Sequence, residues 1–284
     1  MLTTKQLQQE IKEIIKFVKR KLDEQGIEKV VIAVSGGIDS AVSLTLLSRA
    51  IDKKNIIPVF LPNGNQTTDD SYEIVKWNKI SKSSVKEINI ASVANSLFRS
   101  LKVPKQDTIR YGNIPARIRM IAVFDIAKKN KALVMGSENR SEKYLGYYTR
   151  FGDEASDIEP IQHLYKTEVR AIAKELKIPN KFIEKAPSAE LCEGQSDEKD
   201  FGFSYDDADK ILEAMFDKPV SEQELLAGDK YQGVKKRIVE KVINRVRSFA
   251  FKQNVPYIID NSINNKKRKY GKRYNSSRRL LWQR

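Results

Sequence analysis

Two glycines and a carboxylate lie close together near the amino terminus, in the order Ser35, Gly36, Gly37, Ile38, Asp39 and Ser40. Glycines in such a turn let backbone N–H groups face a ligand, and a helix that begins there adds the positive end of its dipole. This 35–40 loop therefore predicts a cradle for phosphate oxygens. Because a carboxylate inside such a cradle needs a cation beside it, Asp39 predicts bound Mg²⁺. A plain Gly-Gly turn capped by Asp39 and Ser40 is the alternative interpretation.

The loop differs from the two commonest phosphate-binding patterns. The sequence contains neither the G-x-G-x-x-G pattern of dinucleotide-binding proteins nor the G-x-x-x-x-G-K-[ST] pattern of P-loop proteins. The loop instead resembles the S-G-G-x-D-S loop of the ATP pyrophosphatase superfamily, whose members split ATP between its α and β phosphates. The resemblance implies that all six loop residues bind ATP and that an oxygen is adenylated with release of pyrophosphate. It leaves the acceptor of the adenylate open.

Further motifs point to the acceptor, because they follow one another over most of the chain. In order and spacing they resemble the NAD synthetase family, and the similarity runs from Thr4 to Val255. The motifs are residues 112–120, 136–142, 146–153, 157–160, 164–167, 187–189 and 202–205. The resemblance implies amidation of deamido-NAD with ammonia at the expense of ATP, through an adenylated intermediate, to NAD, AMP and pyrophosphate. It also implies a homodimer.

The same resemblance assigns a role to individual residues. Asp39 and Glu142 would hold Mg²⁺, and Asp39 and Lys166 would be catalytic. Ser137, Lys166 and Ser188 would bind ATP together with the loop, and both serines stand where the family usually has threonine. The residues that would bind deamido-NAD are Arg117, Arg150, Asp157 and Lys252.

Some positions depart from the family pattern. Arg150 stands where a lysine is usual, and Phe251 replaces the histidine of a His-Lys pair, which leaves only Lys252. Residues 154–156 replace a glycine-rich segment. We expect these departures to change the affinity for the substrate and to leave the reaction class unchanged.

The elements that must position these residues alternate along the chain. Apolar, β-branched runs predict strands at residues 29–34, 56–61, 85–90 and 132–136, with helices between them and a loop over 104–113. This alternation predicts an α/β fold, with a doubly wound, mainly parallel sheet and helices on both faces. The resemblance makes it adenine nucleotide alpha-hydrolase-like, and residues 205–251 predict a helical carboxyl-terminal elaboration. The loops that follow the strands would then lie at one edge of the sheet, where ligands bind.

Charge and composition divide the chain of 284 residues. It has 52 Lys+Arg against 37 Asp+Glu, a net charge of +15, and nine of the basic residues follow Asp260. We therefore predict one domain over residues 1–260 and a flexible basic tail over 261–284. Cys192 and His163 are single, which excludes disulfide scaffolds and Cys/His zinc clusters. The polar segment 186–204 has the length and composition of a lid.

Apolar runs and the amino-terminal segment indicate the location and the nitrogen source. No apolar run approaches the length of a membrane span, and the first residues lack a signal pattern, so we predict a cytoplasmic protein without membrane contact. One predicted helix precedes the 35–40 loop, which leaves no space there for a glutaminase domain. We therefore expect ammonia as the nitrogen source.

Two other functions stay open on the sequence. The nearest is a tRNA-modifying ATP pyrophosphatase that resembles lysidine synthetase, because the basic tail could bind RNA. A solvated tail also accounts for this charge, so we expect no specific nucleic-acid binding. The third possibility is a nucleotide sensor without activity on the same fold, and the presence of Asp39, Glu142 and Lys166 argues against it.

Overall fold

A four-stranded parallel sheet forms the centre of the computed structural model, which describes residues 3–187, 196–218 and 220–257. The strand order is β3-β2-β1-β4, with β1 (Lys29–Ala33), β2 (Ile56–Phe60), β3 (Lys86–Glu87) and β4 (Ala132–Met135). The register sets Val30 beside Ile56 on one side and beside Leu133 on the other. The chain turns back after β3 to place β4 on the far side of β1. The boundary between β1 and β4 is therefore the switch point of the sheet, where ligands bind in such folds.

Helices make up most of the remaining described chain. Short 3₁₀ helices at Lys53–Asn55, Lys82–Ser84 and Ala250–Gln253 supplement them. The α-helices are α1 (Thr4–Gln25), α2 (Ile38–Ala50), α3 (Asp69–Trp77), α4 (Ala91–Ser100), α5 (Thr108–Asn130), α6 (Arg140–Leu145), α7 (Lys166–Glu175), α8 (Asn180–Glu184), α9 (Asp197–Phe201), α10 (Tyr205–Phe216), α11 (Glu222–Leu226) and α12 (Lys236–Phe249).

Alternate residues of β1 face opposite sides of the sheet, and each side has its own core. Val30 and Ile32 pack with residues of α1, α2, α7 and α8, whereas Val31 packs with residues of α4 and α5. The side chains of Val30, Val31 and Ile32 are all fully buried. The predicted doubly wound parallel sheet with helices on both faces is therefore confirmed.

A third hydrophobic cluster holds the carboxyl-terminal elaboration together, and it joins residues of α6, α10, α11 and α12. The prediction of helical structure over residues 205–251 needs one correction. A small hairpin of β5 (Lys230–Tyr231) and β6 (Val234–Lys235) interrupts the helices. Its turn residues, Gln232 and Gly233, both have positive φ, as the two-residue turns of tight hairpins require.

The predicted loop over residues 104–113 is wrong in its second half, because α5 already begins at Thr108. The Asp107 side chain caps this helix by accepting the Arg110 N–H at 3.2 Å. Gly112 and Pro115 disfavour helices in general, and both are buried inside α5. Tertiary packing therefore overrides the local preference here. The predicted strand 85–90 is also too long, since β3 contains only two residues.

Several predictions fall outside the described residues. They concern residues 188–195 of the predicted lid, among them Ser188 and Cys192, and the basic tail over 261–284. The domain boundary after residue 260 therefore stays a prediction. Among the helices that the structure describes, none combines the length and the apolar character that a membrane crossing requires.

Candidate active site

The 35–40 loop forms the turn between β1 and the start of α2. Ser35 Oγ accepts the Gly37 N–H at 3.2 Å, and Ser40 Oγ donates to the Gly37 carbonyl at 3.0 Å. Gly36 has a φ of +81°, and a Cβ on it would lie 2.7 Å from the Cβ of Asp70. Glycine is therefore required at this position by both backbone angle and space. The turn leaves the first N–H groups of α2 at the ligand-binding edge of the sheet, as predicted for a phosphate cradle.

The Lys166 ammonium lies between two carboxylates from different helices. Its Nζ is 2.6 Å from Asp39 Oδ2 and 3.0 Å from Glu142 Oε1, and its side chain is only 2% exposed. Asn139, the N-cap of α6, links the Asp39 carboxylate to the backbone of Glu142. Its Nδ2 donates to Asp39 Oδ1 at 2.9 Å, and its Oδ1 accepts the Glu142 N–H at 3.0 Å. The fold therefore brings together the predicted catalytic and metal-binding residues on α2, α6 and α7.

The surroundings of Lys166 keep it charged. Burial alone would lower the pKa of Lys166, but the negative charges of Asp39 and Glu142 outweigh burial and raise that pKa. Burial likewise raises the pKa of the Glu142 carboxyl, and the charge of Lys166 opposes this rise. A charged ammonium at the start of α2 suits the binding of phosphate oxygens.

A buried carboxylate that the sequence analysis missed holds the start of the helix that carries Lys166. Asp209 of α10 accepts the Ser141 hydroxyl at 2.5 Å and the Thr167 N–H at 2.9 Å. Ser141 Oγ in turn accepts the Lys166 N–H at 2.8 Å. Asp209 therefore fixes the first turns of α6 and α7 relative to each other. No local pattern signals this contact, since Asp209 and Ser141 lie 68 positions apart.

Asp197 of α9 is a second missed carboxylate. Its side chain is buried, and its Oδ2 accepts the Tyr205 hydroxyl at 3.0 Å. Its Oδ1 has no hydrogen-bond partner within the described parts of the chain. Burial is the main cause that raises the pKa of Asp197, and the charge of Lys166 acts in the opposite direction. Asp197 thus adds a carboxylate to the surroundings of Lys166.

One cavity of about 410 Å³ connects these groups with the ends of β1, β2 and β4. Its volume falls within the range of about 300–1,000 Å³ that is typical of small-molecule sites. Gly36 shapes the turn without lining the cavity, and Asp197 is part of its wall. The predicted ATP-binding and metal-binding residues in the wall are Ser35, Gly37, Ile38, Asp39, Ser40, Ser137, Glu142 and Lys166.

The donor set fits Mg²⁺ that is bound together with a phosphate ligand. Asp39 and Glu142 each place a carboxylate oxygen within 3.0 Å of one nitrogen, so the two can share a cation. Across the described ranges, no three His, Cys, Asp or Glu side chains are arranged to hold a metal ion by themselves. Mg²⁺ commonly uses one or two carboxylates and completes its shell with phosphate oxygens and water.

Three of the four residues predicted to bind the dinucleotide lie in the segment 146–150 or against it, and they do not line the cavity. Arg117 of α5 donates from Nε and Nη2 to the Arg150 carbonyl, at 3.3 and 3.2 Å. Lys252 Nζ donates to the carbonyls of Gly146 and Tyr148, at 2.7 and 2.6 Å. Burial lowers the pKa of Lys252. We call the part of the site that Arg117, Arg150 and Lys252 form the rim, because these residues flank cavity-lining residues such as Tyr148.

The fourth residue, Asp157, belongs to a segment that acidic side chains tie to β4. Asp157 Oδ2 accepts the Val134 N–H at 2.8 Å. Glu159 Oε2 accepts the Glu138 N–H at 3.0 Å, and a Cβ on Gly136 would lie 1.8 Å from Glu159 Oε1. The glycine that ends β4 therefore makes room for the Glu159 carboxyl. The structure does not bring Asp157 into the cavity wall.

The site can now be set beside known proteins. Residues 10–256 match the model of the family NAD synthase. The chain belongs to this family. It is 39% identical over 251 residues to the NH(3)-dependent NAD(+) synthetase of Wolinella succinogenes, a match that covers 87% of this chain and 94% of that protein.

Solved structures agree with the family match. The NMN synthetase from Francisella tularensis has a TM-score of 0.75 at 26% identity, covering 92% of this chain and 100% of that one. The NH3-dependent NAD synthetase from Campylobacter jejuni, in complex with the nitrate ion, has a TM-score of 0.74 at 28% identity, covering 89% and 99%. The predicted family and fold are confirmed, and the main functional prediction is supported over the tRNA-modifying alternative.

Proposed function

We propose that this chain is an ammonia-dependent ligase that converts deamido-NAD to NAD and splits ATP to AMP and pyrophosphate. The observation that carries the proposal is the buried Lys166 ammonium between Asp39 and Glu142, beside the start of α2. This arrangement can bind a magnesium-bound triphosphate, and it occurs in a chain of the NAD synthase family. The retained Asp39, Glu142 and Lys166 also favour an enzyme over a nucleotide sensor.

The reaction has two group-transfer steps. A carboxylate oxygen of the nicotinate ring attacks the α-phosphorus of ATP, and the bond to the bridging oxygen of the leaving pyrophosphate breaks. Ammonia then attacks the adenylated carbonyl carbon, AMP leaves, and the nitrogen loses one proton. Neither step forms a bond to a protein side chain. Positioning and charge stabilisation are therefore the main contributions of the protein.

The residues of the cavity divide this work. The N–H groups at the start of α2, together with Ser35 and Ser40, hold the oxygens of the leaving pyrophosphate. Lys166 neutralises phosphate charge, while Ser137 and Ser188 contact ATP. Asp39 and Glu142 would hold Mg²⁺, which supplies positive charge to the phosphates when bound.

The remaining predicted residues serve the second substrate. Arg117, Arg150 and Lys252 bind the anionic part of deamido-NAD, and Asp157 lies toward its nicotinate end. The three positive side chains around the segment 146–150 support this assignment, because deamido-NAD carries a diphosphate.

A homodimer in the cytoplasm completes the proposal. Val93, Leu97 and Leu101 follow one stripe along α4 and its end, and they are 51%, 38% and 54% exposed. Ile121 of the neighbouring α5 is 62% exposed. Exposed apolar residues on adjacent helices support a partner surface. We expect a dimer by light scattering and a monomer for the double variant Leu97→Glu and Ile121→Glu.

Product analysis tests the activity. The purified chain is incubated with ATP, Mg²⁺, deamido-NAD and ammonium, and we expect NAD, AMP and pyrophosphate in equal amounts. Glutamine freed of ammonium should not replace ammonium, and the rate at fixed total ammonium should rise with pH, because neutral ammonia is the nucleophile. Nicotinate mononucleotide is tested in parallel, since an NMN synthetase is a structural neighbour. The proposal would be contradicted if neither deamido-NAD nor nicotinate mononucleotide supported the formation of AMP.

A further inference from the structure

The guanidinium of Arg150 lies against two aromatic rings. Its Cζ is 5.5 Å from the ring centroid of Phe151 and 5.6 Å from that of Phe251. Both distances are within the reach of about 6 Å that a cation–π interaction has. The two phenylalanines are 54% and 45% exposed, so they do not serve mainly as core residues. Their exposed position beside a cation needs another explanation.

The backbone next to Phe251 is held by the residues that follow it along the chain. Phe251 belongs to the 3₁₀ helix Ala250–Gln253, which is tied to the end of α6. Lys252 Nζ donates to two backbone carbonyls of the segment 146–148, and Gln253 Nε2 donates to the Lys143 carbonyl at 3.2 Å. These contacts tie the two residues that directly follow Phe251 to α6 and to the segment 146–148. They therefore limit the movement of the backbone that carries the ring.

The Arg150 backbone is fixed as well, while its side chain keeps its donors available. Two hydrogen bonds from Arg117 hold the Arg150 carbonyl. In the parts of the chain that the structure describes, the Arg150 guanidinium contacts the two rings and forms no hydrogen bond or ion pair. Thr149 and Gly152, on either side of Arg150 and Phe151, line the cavity. The guanidinium is thus placed at the cavity edge with its N–H groups available for an anion.

Two of the departures that the resemblance implies meet here, arginine for lysine at Arg150 and phenylalanine for histidine at Phe251. A lysine ammonium is a compact charge that binds phosphate from many directions, whereas the planar guanidinium must be oriented to donate two parallel hydrogen bonds. An aromatic ring provides that orientation, and a protonated histidine would repel the guanidinium instead. The two departures therefore belong together in physical terms.

We propose that Arg150 and Phe251 act as one unit that binds a phosphate of deamido-NAD, with the ring orienting the guanidinium. Phe251 is then a positioning residue that contributes to substrate affinity through Arg150. The inference rests on the proposed function, since it takes deamido-NAD as the substrate.

A double-mutant cycle tests the coupling. The dissociation constant of deamido-NAD is measured by calorimetry without ATP for the wild type, Arg150→Lys, Phe251→Leu and the double variant. We expect each single change to weaken binding about three- to fivefold, as the loss of an exposed cation–π contact would. The double variant should bind deamido-NAD no more weakly than the single variant with the larger dissociation constant does. Losses that multiply in the double variant would overturn the inference, as would an unchanged affinity of Phe251→Leu.

Three further measurements separate orientation from a general structural effect. Phe251→Tyr keeps a ring and should keep the wild-type affinity. The KM for ATP and kcat should stay unchanged in Phe251→Leu, while the KM for deamido-NAD rises. A matched pair on α1, where the Arg20 Cζ lies 5.9 Å from the Phe17 ring, should show no effect in Phe17→Leu. A loss in Phe251→Tyr, or an equal rise of both KM values, would count against an orienting role.

The wild type separates this inference from the proposed function. If the wild type forms NAD and the cycle is additive, only the coupling of Arg150 with Phe251 is overturned. If the wild type binds no deamido-NAD and forms no NAD, the proposed function fails, and the inference fails with it.

Discussion

The two ends of the site are built in different ways. At the end that we propose to bind phosphate, called the phosphate end, Lys166 contacts both Asp39 and Glu142. Further hydrogen bonds from α6 and α10 fix their positions. At the rim, Arg117 is exposed and Arg150 and Lys252 are partly exposed, and they contact backbone carbonyls and aromatic rings. Buried charges without partners are costly, so the first arrangement tolerates little change. Exposed contacts are individually weak, so the second arrangement can vary.

The departures that the resemblance implies at Arg150 and Phe251 lie at the rim. At the phosphate end, Ser137 keeps the hydroxyl of the threonine that the same resemblance leads us to expect there. We infer that the phosphate end determines the rate of the reaction and the rim determines the affinity for the dinucleotide. The predictions below test this division, beginning with the largest effect.

Removal of the buried charge should abolish most activity. Lys166→Met leaves Asp39 and Glu142 without their cation and removes the positive charge from the phosphate end, so kcat should fall about 10²- to 10³-fold. The measurement is pyrophosphate release at saturating ATP, Mg²⁺ and deamido-NAD. Lys174→Met, an exposed position on the same helix, is the control and should keep wild-type activity. A kcat for Lys166→Met within a few-fold of the wild type would contradict the assignment.

Asp39→Asn should show that the carboxylate itself is needed. The amide keeps the size of the side chain but lacks the charge that holds Lys166 and that would hold a divalent cation. We expect the affinity for Mg²⁺ in the presence of ATP to fall at least about tenfold, together with adenylation. The binding of Mn²⁺, followed by its paramagnetic resonance, provides a readout besides activity. Unchanged binding of Mn²⁺ with ATP would remove Asp39 from the metal site.

The Asp209 network should have an intermediate effect. Asp209→Asn and Ser141→Ala each loosen the first turn of α7, and a shift of Lys166 should lower kcat about tenfold, or ~1.4 kcal/mol. Because a hydrogen bond joins the two side chains and both hold the start of α7, their effects on kcat should not multiply fully in the double variant. Asp207→Asn, in the first turn of α10, the helix that carries Asp209, is the control. Multiplying effects would show that Asp209 and Ser141 act independently.

The sequence predicts the phosphate end well because its chemistry is local. The 35–40 loop carries its glycines, its carboxylate and its helix start within six positions, and the structure places them as predicted. Glu142 and Lys166 were assigned by resemblance, and the fold brings them to Asp39. Asp209 and Asp197 escaped prediction because their partners lie far away in sequence or in another helix. The contact between Arg150 and Phe251 is also long-range, so two departures that looked independent in the sequence share one place in the fold.

The rim should affect binding more than turnover. Arg117→Ala removes two hydrogen bonds to the Arg150 carbonyl, which lets the segment 146–150 move. We expect the KM for deamido-NAD to rise about three- to tenfold, with smaller changes in kcat and in the KM for ATP. Arg110→Ala, in the first turn of α5, is the control, since Arg110 pairs with Asp107. A fall in kcat as large as that of Lys166→Met would break the division between rim and phosphate end.

The smallest effect concerns stability and comes from the carboxyl groups behind β4. Glu138 is 8% exposed, its Oε1 has no hydrogen-bond partner within the described residues, and burial raises its pKa to about 9, with Glu159, Glu142, Asp153 and Glu154 adding to the rise. Burial also raises the pKa of Glu159 to about 7. The folded protein therefore binds more protons here than the unfolded chain does above about pH 4.5.

Unfolding free energy should accordingly fall as pH rises toward 9, since the favourable protonated state of Glu138 is lost through its folded pKa. We expect a decline of at least about 1 kcal/mol between pH 6 and pH 9, seen as a drop of ~2–4 °C in Tm. Glu138→Gln stays neutral at every pH and should flatten this decline, whereas the exposed Glu184→Gln should leave it unchanged. A Tm that is independent of pH in the wild type would mean that Glu138 is ionised in the folded protein. Glu138 and Glu159 lie between the end of β4 and the segment that bears Asp157. The region between β4 and the segment that bears Asp157 would then carry an uncompensated negative charge, and Glu138 would belong with the charged groups of the phosphate end.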